Sequence, residues 1–367
     1  MWINKLTIKN CRSLSNIQLD LSKNLNIIVG DNASGKTSLL EALTLLSSGR
    51  SFRTAHISDL ISYNKDSVIV SARVLNQRHN STQIGLKKSL TSTVIRINKE
   101  NIYTQAELST HLPLTVIHAG SIDLITGSPK LRRSFIDWIA FYKFPSFHQQ
   151  WKQYQHVLKQ RNICLKEYHF RSSLDEWTQE LVKLQPLINN YRKDAISLLK
   201  IEWFKILNFL FKDFEFDLIF KSGFPDALDI SEINLLHYYK ERQSYDLKIQ
   251  RTSSGVHRFD FKIMMGDRLA SDCASRGQLK LLALSLLLAK NSVLSGTDDN
   301  SENKKGILLI DDLAAELDSE NKDILINYLS SLNQQLFITM TKQYNIPSVN
   351  LDYKVFHVKH GDITSYN

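Results

Sequence analysis

Polar and apolar positions alternate over residues 2–10, where Trp2, Leu6 and Ile8 stand among polar neighbours, the pattern of a half-buried edge strand. Asn10 to Leu14 reads as a turn. Leu25 to Val29 is an unbroken apolar run of strand type, and Ser38 to Leu46 reads as a buried helix stopped by Ser47-Ser48-Gly49. Between Ser67 and Lys99, β-rich runs at residues 68–75 and 93–97 predict an antiparallel meander, and Leu114 to Ile117 predicts another strand.

The period lengthens beyond Gly127-Ser128-Pro129, which starts a helix with Pro in its first turn. Leu174, Trp177, Leu181, Leu184, Ile188, Tyr191, Ala195 and Leu198 recur three and four apart, a coiled-coil seam. Phe147, Trp151, Tyr154 and Leu158 begin a matching seam that Arg161 interrupts. His169 to Ser172 makes a tight connection, Ser173 to Glu176 a capping box, and Pro186 is expected to kink or divide the second helix. The spacing makes these aromatic residues core packing rather than a base-stacking platform. Further on, the pattern predicts strands at 214–220 and 257–263, helices near 230–243, 281–289 and 320–332, a buried strand at 306–310, and a last core strand at 335–339.

Strands alternating with helices make the fold class α/β, and 367 residues exceed what one compact core usually holds, so two lobes are expected. The boundaries are lobe I at 1–120 and 300–367, and lobe II, mostly a helical arm, at 121–299. Lys and Arg number 46 against 37 Asp and Glu, a net charge of +9, which makes a polyanionic partner plausible. Residues 130–212 hold 15 Lys and Arg against 7 Asp and Glu, so the excess concentrates on the arm. Arg132 and Arg133 oppose the dipole at their helix start, which an anionic partner or solvent would offset. Cys11, Cys164 and Cys273 are odd in number and scattered, which suits a reducing compartment. The N-terminus lacks the apolar core of a signal peptide and no apolar run spans a bilayer, so a cytoplasmic location with no membrane contact is expected.

Candidate chemistry sharpens this picture. Gly30-Asp31-Asn32-Ala33-Ser34-Gly35-Lys36-Thr37 fits G-x-x-x-x-G-K-[ST] and sits between a strand and a helix, the context of a phosphate-binding loop. Its backbone N–H groups, with Ser38 beyond, would close around a triphosphate, Lys36 would reach the β- and γ-phosphates, and Thr37 would ligate Mg²⁺. Ala33 stands where a glycine is usual, which is tolerable at a negative φ. Asp311 and Asp312 end an apolar strand, the Walker B form: Asp311 would hold Mg²⁺ through water, and Asp312 would orient an attacking water. Ser275-Arg276-Gly277-Gln278 opens an apolar helix and offers a second anion site.

Loop, Ser-x-Gly-Gln and Walker B in this order resemble the ATP-binding cassette ATPases, nearest the head domains of the Rad50 and SMC group. Asn10 to Leu14, Gly49-Arg50-Ser51-Phe52-Arg53-Thr54, Gly127 to Phe135 and Asp137 are similar to the RecF family within that group. The resemblance implies an ABC-type head whose second lobe is largely α-helical, with a short antiparallel arm and no long coiled coil. It adds Arg12 to the residues that bind ATP, and makes Lys36, Asp311 and Asp312 the catalytic set. Ser275, Gly277 and Gln278 of a second copy would complete each site, giving an ATP-dependent homodimer.

The implied task is ATP-dependent binding of double-stranded or gapped DNA in recombinational repair, assisting RecA loading with RecO and RecR, with ATP hydrolysis as a slow reset. Several positions depart from the wider pattern. Arg276 replaces a signature glycine, Ala119 a common proline, Asp312 is one methylene shorter than the usual glutamate, and Thr339 and Thr341 stand where a switch histidine is expected. These changes favour a weak, switch-like ATPase. Another Rad50/SMC-like ATPase and a P-loop phosphotransferase are the alternatives.

Overall fold

Three strands open the chain, β1 (Trp2–Cys11), β2 (Leu14–Asp20) and β3 (Leu25–Val29). Ile3, Leu6 and Ile8 of β1 are buried while Lys5 and Lys9 are exposed, as alternation requires. In the computed structural model, which describes residues 1–76, 78–211, 215–295, 306–312, 325, 328–332, 334–341 and 352–366, β1 is nevertheless not an edge. It lies between β2 and β4 (Ser67–Leu75). The sequence reading missed β2, whose polar Ser15, Asn16 and Gln18 mask a strand that returns through a two-residue turn at Arg12 and Ser13.

The expected meander is present as β4, β5 (Ser81–Ser89), β6 (Thr93–Ile97) and β7 (Glu100–Ile102), completing a six-stranded antiparallel sheet ordered β2-β1-β4-β5-β6-β7. Helix α1 (Lys36–Ser48) follows β3, α2 (Gln105–His111) follows the meander, and β8 (Leu114–Ile117) comes next. The second unit holds α3 (Asp123–Thr126), α4 (Pro129–Lys143), α5 (Phe147–Lys166), α6 (Leu174–Leu210), β9 (Phe216–Lys221), α7 (Glu232–Ile249), β10 (Asp260–Met265), β11 (Arg268–Leu269) and α8 (Ala270–Cys273). After α9 (Arg276–Ser295) come β12 (Ile307–Ile310), β13 (Leu336–Met340), β14 (Tyr353–Lys359) and β15 (Asp362–Tyr366).

Packing separates Met1–Ser121 with Lys280–Asn367 from Ile122–Leu279. The return to the first unit therefore falls at Lys280, inside α9, and not at residue 300. The apolar run from Leu281 to Ala289, which the sequence reading gave to the arm lobe, is buried and goes with the first unit.

In the first unit a second six-stranded sheet runs β15-β14-β3-β13-β12-β8, parallel except for β15. Residues 335–339 are thus not the last core strand, because β14 pairs with β3 and adds β15 as a hairpin. Leu39, Leu40, Leu43 and Leu46 of α1 share one core with Ile3, Leu6 and Ile8 of the antiparallel sheet and with Ile28, Leu309 and Phe337 of the parallel one. A helix clasped from two sides must be apolar nearly all round, which is why its pattern lacks a polar face.

In the second unit α5 and α6 pack as the expected helical pair. Arg161 does not interrupt α5: it is buried, donating to Thr178, Asp246 and Thr252 at 3.0, 3.0 and 2.7 Å. A charge tolerated in a core because it is fully paired reads in sequence as a break. Nor does Pro186 divide α6, which runs unbroken for 37 residues. Ser173 lies at the helix start without a side-chain cap bond, so that capping box is not formed. Leu198, the last member of the expected seam, is exposed, and Leu199 and Trp203 are buried instead. The expected helix at 320–332 falls largely outside the described residues.

Candidate nucleotide and magnesium site

The parallel sheet delivers β3 into the loop and the loop into α1, so that residues 30–37 form the turn from strand end to helix start. Gly30 is packed so closely that an added Cβ would meet the Val358 carbonyl oxygen at 2.4 Å, and Gly35 adopts φ 118°, which only glycine takes freely. Asp31, Asn32 and Ala33 are exposed at the tip. Ala33 has φ 63°, so its accommodation at a negative φ is not what occurs: the loop keeps the left-handed turn of its glycine form and the alanine bears the strain.

Lys36 curls back over the loop, its Nζ donating to the carbonyls of Gly30 and Asp31 at 2.7 and 2.8 Å. Ser34 Oγ is buried without a hydrogen-bond partner among the described residues. Ser38 is buried one turn into α1, and its carbonyl accepts from the Cys11 thiol. Burial pushes that thiol up to about 12, which makes Cys11 an inert packing group.

The two carboxylates follow β12, one strand from β13 and two from β3. Thr37 Oγ1 donates to Asp311 at 3.1 and 3.2 Å to its two oxygens. Asp312 takes φ 56°, and its Oδ1 is buried with no hydrogen-bond partner among the described residues. Thr339, at the end of β13, donates to Asp311 Oδ1 at 2.8 Å and accepts the Asp312 N–H at 2.7 Å. These residues fit Mg²⁺: Thr37 offers a hard hydroxyl oxygen as ligand and Asp311 a carboxylate to hold the ion's water, with the remaining positions left to phosphate and water. Unengaged Ser34 Oγ and Asp312 Oδ1, and a lysine resting on neutral carbonyls, likewise fit a loop that receives a triphosphate.

Arg12 lies in the β1–β2 turn at φ 52°, its backbone tied to Leu60 and Ser62. Its guanidinium forks onto Glu41 of α1, with Nη2 at 2.9 Å from Oε1 and Nε on Oε2. That bond raises the Arg12 pKa. Glu41 is wholly buried; it also accepts from Ser51 Oγ at 2.7 Å, and Arg53 approaches it to 3.8 Å. The sequence reading passed over Glu41, although a lone carboxylate inside an otherwise buried helix was the available signal. It binds the Arg12 turn and the Gly49–Thr54 loop to the phosphate-loop helix. Above that loop lies a cavity of about 460 Å³ lined by Arg50, Arg53, His56 and Lys88 among others. Lys88 donates to the Gly49 carbonyl at 2.7 Å, and burial followed by the nearby Arg50 charge lowers its pKa.

Ser275, Gly277 and Gln278 belong to the other unit. Ser275 Oγ accepts the Gln278 N–H at 3.3 Å while Gln278 Oε1 accepts the Ser275 N–H at 2.8 Å, a reciprocal capping box at the start of α9. Ser275 and Gly277 are exposed, and a Cβ on Gly277 would meet nothing closer than 4.0 Å. Its smallness therefore serves no packing among the described residues. Arg132, offered in sequence to an anionic partner, is paired internally with Asp260 at 2.7 and 3.0 Å, and Arg133 donates to the Phe259 carbonyl. Asp137 pairs with buried Arg192.

The family model described as RecF/RecN/SMC N terminal domain matches residues 2–364. The chain is 35% identical to the "DNA replication and repair protein RecF" of Psychromonas ingrahamii and 33% identical to that of Shewanella woodyi, covering 99% and 98% of those proteins and 99% of itself. It superposes with a TM-score of 0.86 at 25% identity on the "recombination mediator protein RecF-ATP in RecFOR pathway", covering all of this chain and 98% of that one. An SMC head domain from Pyrococcus furiosus shares the fold at a TM-score of 0.60 and 17% identity, covering 100% of this chain and 96% of that one. Among the described residues no helix is long and apolar enough to cross a membrane. The chain belongs to the RecF/RecN/SMC N-terminal domain family, and within it to the RecF proteins.

Proposed function

We propose that this protein is an ATP-dependent DNA-binding protein of recombinational repair and replication-fork maintenance, acting in the cytoplasm. The observation that carries the reading is the contact of Thr37 with Asp311, which joins residues 274 positions apart into one oxygen-rich corner beside the phosphate loop. Lys36 and the loop N–H groups hold the triphosphate, with Arg12 beside them. Thr37, and Asp311 through water, would hold Mg²⁺, which would supply charge neutralisation at the triphosphate. Asp312 orients water through its unengaged Oδ1. Its short reach and the absence of histidine at Thr339 suit a weak, DNA-dependent ATPase that works as a switch.

Ser275, Gly277 and Gln278 of a second copy complete each site, so a homodimer persists while the γ-phosphate is present. The exposed Gly277, with no packing duty among the described residues, supports this. The ATP dimer holds double-stranded or gapped DNA and assists RecA loading with RecO and RecR, and hydrolysis resets it. Support for the pathway comes from the names of the relatives. Arg50, Arg53 and Lys88 around their cavity are the phosphate contacts best placed for sequence-independent binding.

The test is mass in solution and DNA binding with ATP and with ADP, for the parent, Lys36→Ala and Gly277→Asp. The expected result is an ATP-dependent dimer that both variants lose. A monomer at saturating ATP, or a dimer indifferent to Gly277→Asp, sinks the composite site. Phosphate transfer to a small acceptor in place of water would favour a phosphotransferase.

A further inference from the structure

Every residue of β13 is apolar except Thr339, which is wholly buried at the strand's end. The strand lies between β3, which leads into the phosphate loop, and β12, which leads to the two aspartates. The Thr339 hydroxyl gives its one hydrogen to Asp311 Oδ1 at 2.8 Å and accepts the Asp312 N–H at 2.7 Å. Asp311 is thereby held from two sides, by Thr339 and by Thr37. Asp312 stands in a left-handed backbone conformation, and its Oδ1 is buried without a partner among the described residues; its N–H bond to Thr339 helps fix the backbone that aims it. A valine of the same shape would pack this strand equally well and would make neither bond.

We propose that Thr339 is a positioning residue that fixes the Asp311 carboxylate for magnesium and sets the backbone from which Asp312 reaches water. The inference rests on the reading of Asp311 and Asp312 given above. Thr339 acts through the two aspartates it bonds, as outer partners of metal ligands do, and such partners are typically worth about 10–100-fold in metal affinity or activity.

The experiment compares Thr339→Val, Thr339→Ser and Lys36→Ala in the full-length chain. Calorimetric ATP binding is titrated against Mg²⁺ concentration, steady-state ATP hydrolysis is measured, and the thermal midpoint without nucleotide checks folding. Thr339→Val is expected to raise the Mg²⁺ half-saturation of ATP binding about 10-fold and to lower kcat about 10–100-fold, with ATP affinity at saturating Mg²⁺ near that of the parent. Thr339→Ser keeps the hydroxyl and should restore both to within about 3-fold. A serine variant as impaired as the valine one overturns the proposal, even if valine disturbs folding. So does a folded valine variant with the parent's Mg²⁺ dependence. If Lys36→Ala binds ATP like the parent, the loop reading itself fails; if Lys36→Ala loses ATP while Thr339→Val is unchanged, the inference alone fails.

Discussion

In the first unit, Lys36 spends its hydrogen bonds on two loop carbonyls, Arg50 on Gln105 and Lys88 on the Gly49 carbonyl. In the second unit, Arg132, Arg161 and Arg192 hold Asp260, Asp246 and Asp137, and Arg192 also lies over the rings of Trp151 and Phe259. A neutral carbonyl yields to an incoming phosphate, whereas a carboxylate in a buried pair does not. Cations of the first kind are available to a ligand, and those of the second kind are consumed by the fold; Arg12 of the first unit, paired with buried Glu41 but itself partly exposed, stands between the two. The basic excess counted over residues 130–212 therefore overstates the arm's appeal to DNA, because Asp246 and Asp260 come from outside that segment.

The contrast breaks first where a buried pair loses a partner. Asp246→Ala leaves Arg161 charged and unpaired, and should cost about 3–5 kcal/mol in urea or thermal unfolding. Nucleotide binding by the chain that remains folded should be unchanged, and an Asp246→Ala protein as stable as the parent would remove Arg161 from the structural set.

Acid should act on the second unit in the same sense. Burial pushes His257 down to about 4 from an ordinary value of 6.5, while its ring bonds Tyr154 and the Thr252 carbonyl. The unfolded chain then binds the proton more readily, so this contribution is full above pH 6.5 and is lost as pH falls from 6.5 towards 4. It amounts to about 3 kcal/mol across that window. His257→Gln should flatten the profile of stability between pH 7.5 and 5; an unchanged profile would mean that the imidazole titrates normally.

Cations in the first unit should instead show themselves through salt. Arg53→Ala with Lys88→Ala should leave stability nearly intact but make DNA binding less salt-sensitive. The slope of log K on log salt should fall by about 0.9 for each phosphate contact removed. An unchanged slope would place the phosphate contacts elsewhere. The smallest effect is local: Ala33→Gly, at φ 63°, should raise the unfolding free energy by roughly 1 kcal/mol by relieving left-handed strain. A loss in place of that gain would show the loop conformation to be other than described.

What could be read ahead of the structure was what neighbours in sequence decide. Strand alternation in β1, the buried run of β3, the phosphate loop and the Asp311-Asp312 pair each depend on residues within one turn or one strand of each other. The interruption expected at Arg161, the division allowed at Pro186 and the capping box at Ser173 do not occur, because their outcome depends on distant partners or on packing that outweighs local preference. Arg161 needed Asp246 and Thr252 to be a core residue, and α6 continues past Pro186 without dividing while Ser173 makes no cap. Thr339, in its bonds to the two aspartates, and Glu41, altogether, were missed for a related reason. Each is one polar group in an apolar element, and its role exists only once β13 lies beside β12, or α1 beside the β1–β2 turn.

The sequence by itself determined the groups on offer: a loop of the G-x-x-x-x-G-K-[ST] form, two carboxylates at the end of an apolar strand, and a Ser-x-Gly-Gln helix start. Only the tertiary structure decided which of these meet, since Thr37, Asp311, Asp312 and Thr339 share one corner through the order β3-β13-β12. It also decided which charges remain free, with arginines of the second unit closed off by aspartates far along the chain. The physical reason is range: backbone conformation and periodicity are set within a few residues, whereas desolvating a charge is affordable only beside its counter-ion, wherever the chain has carried it.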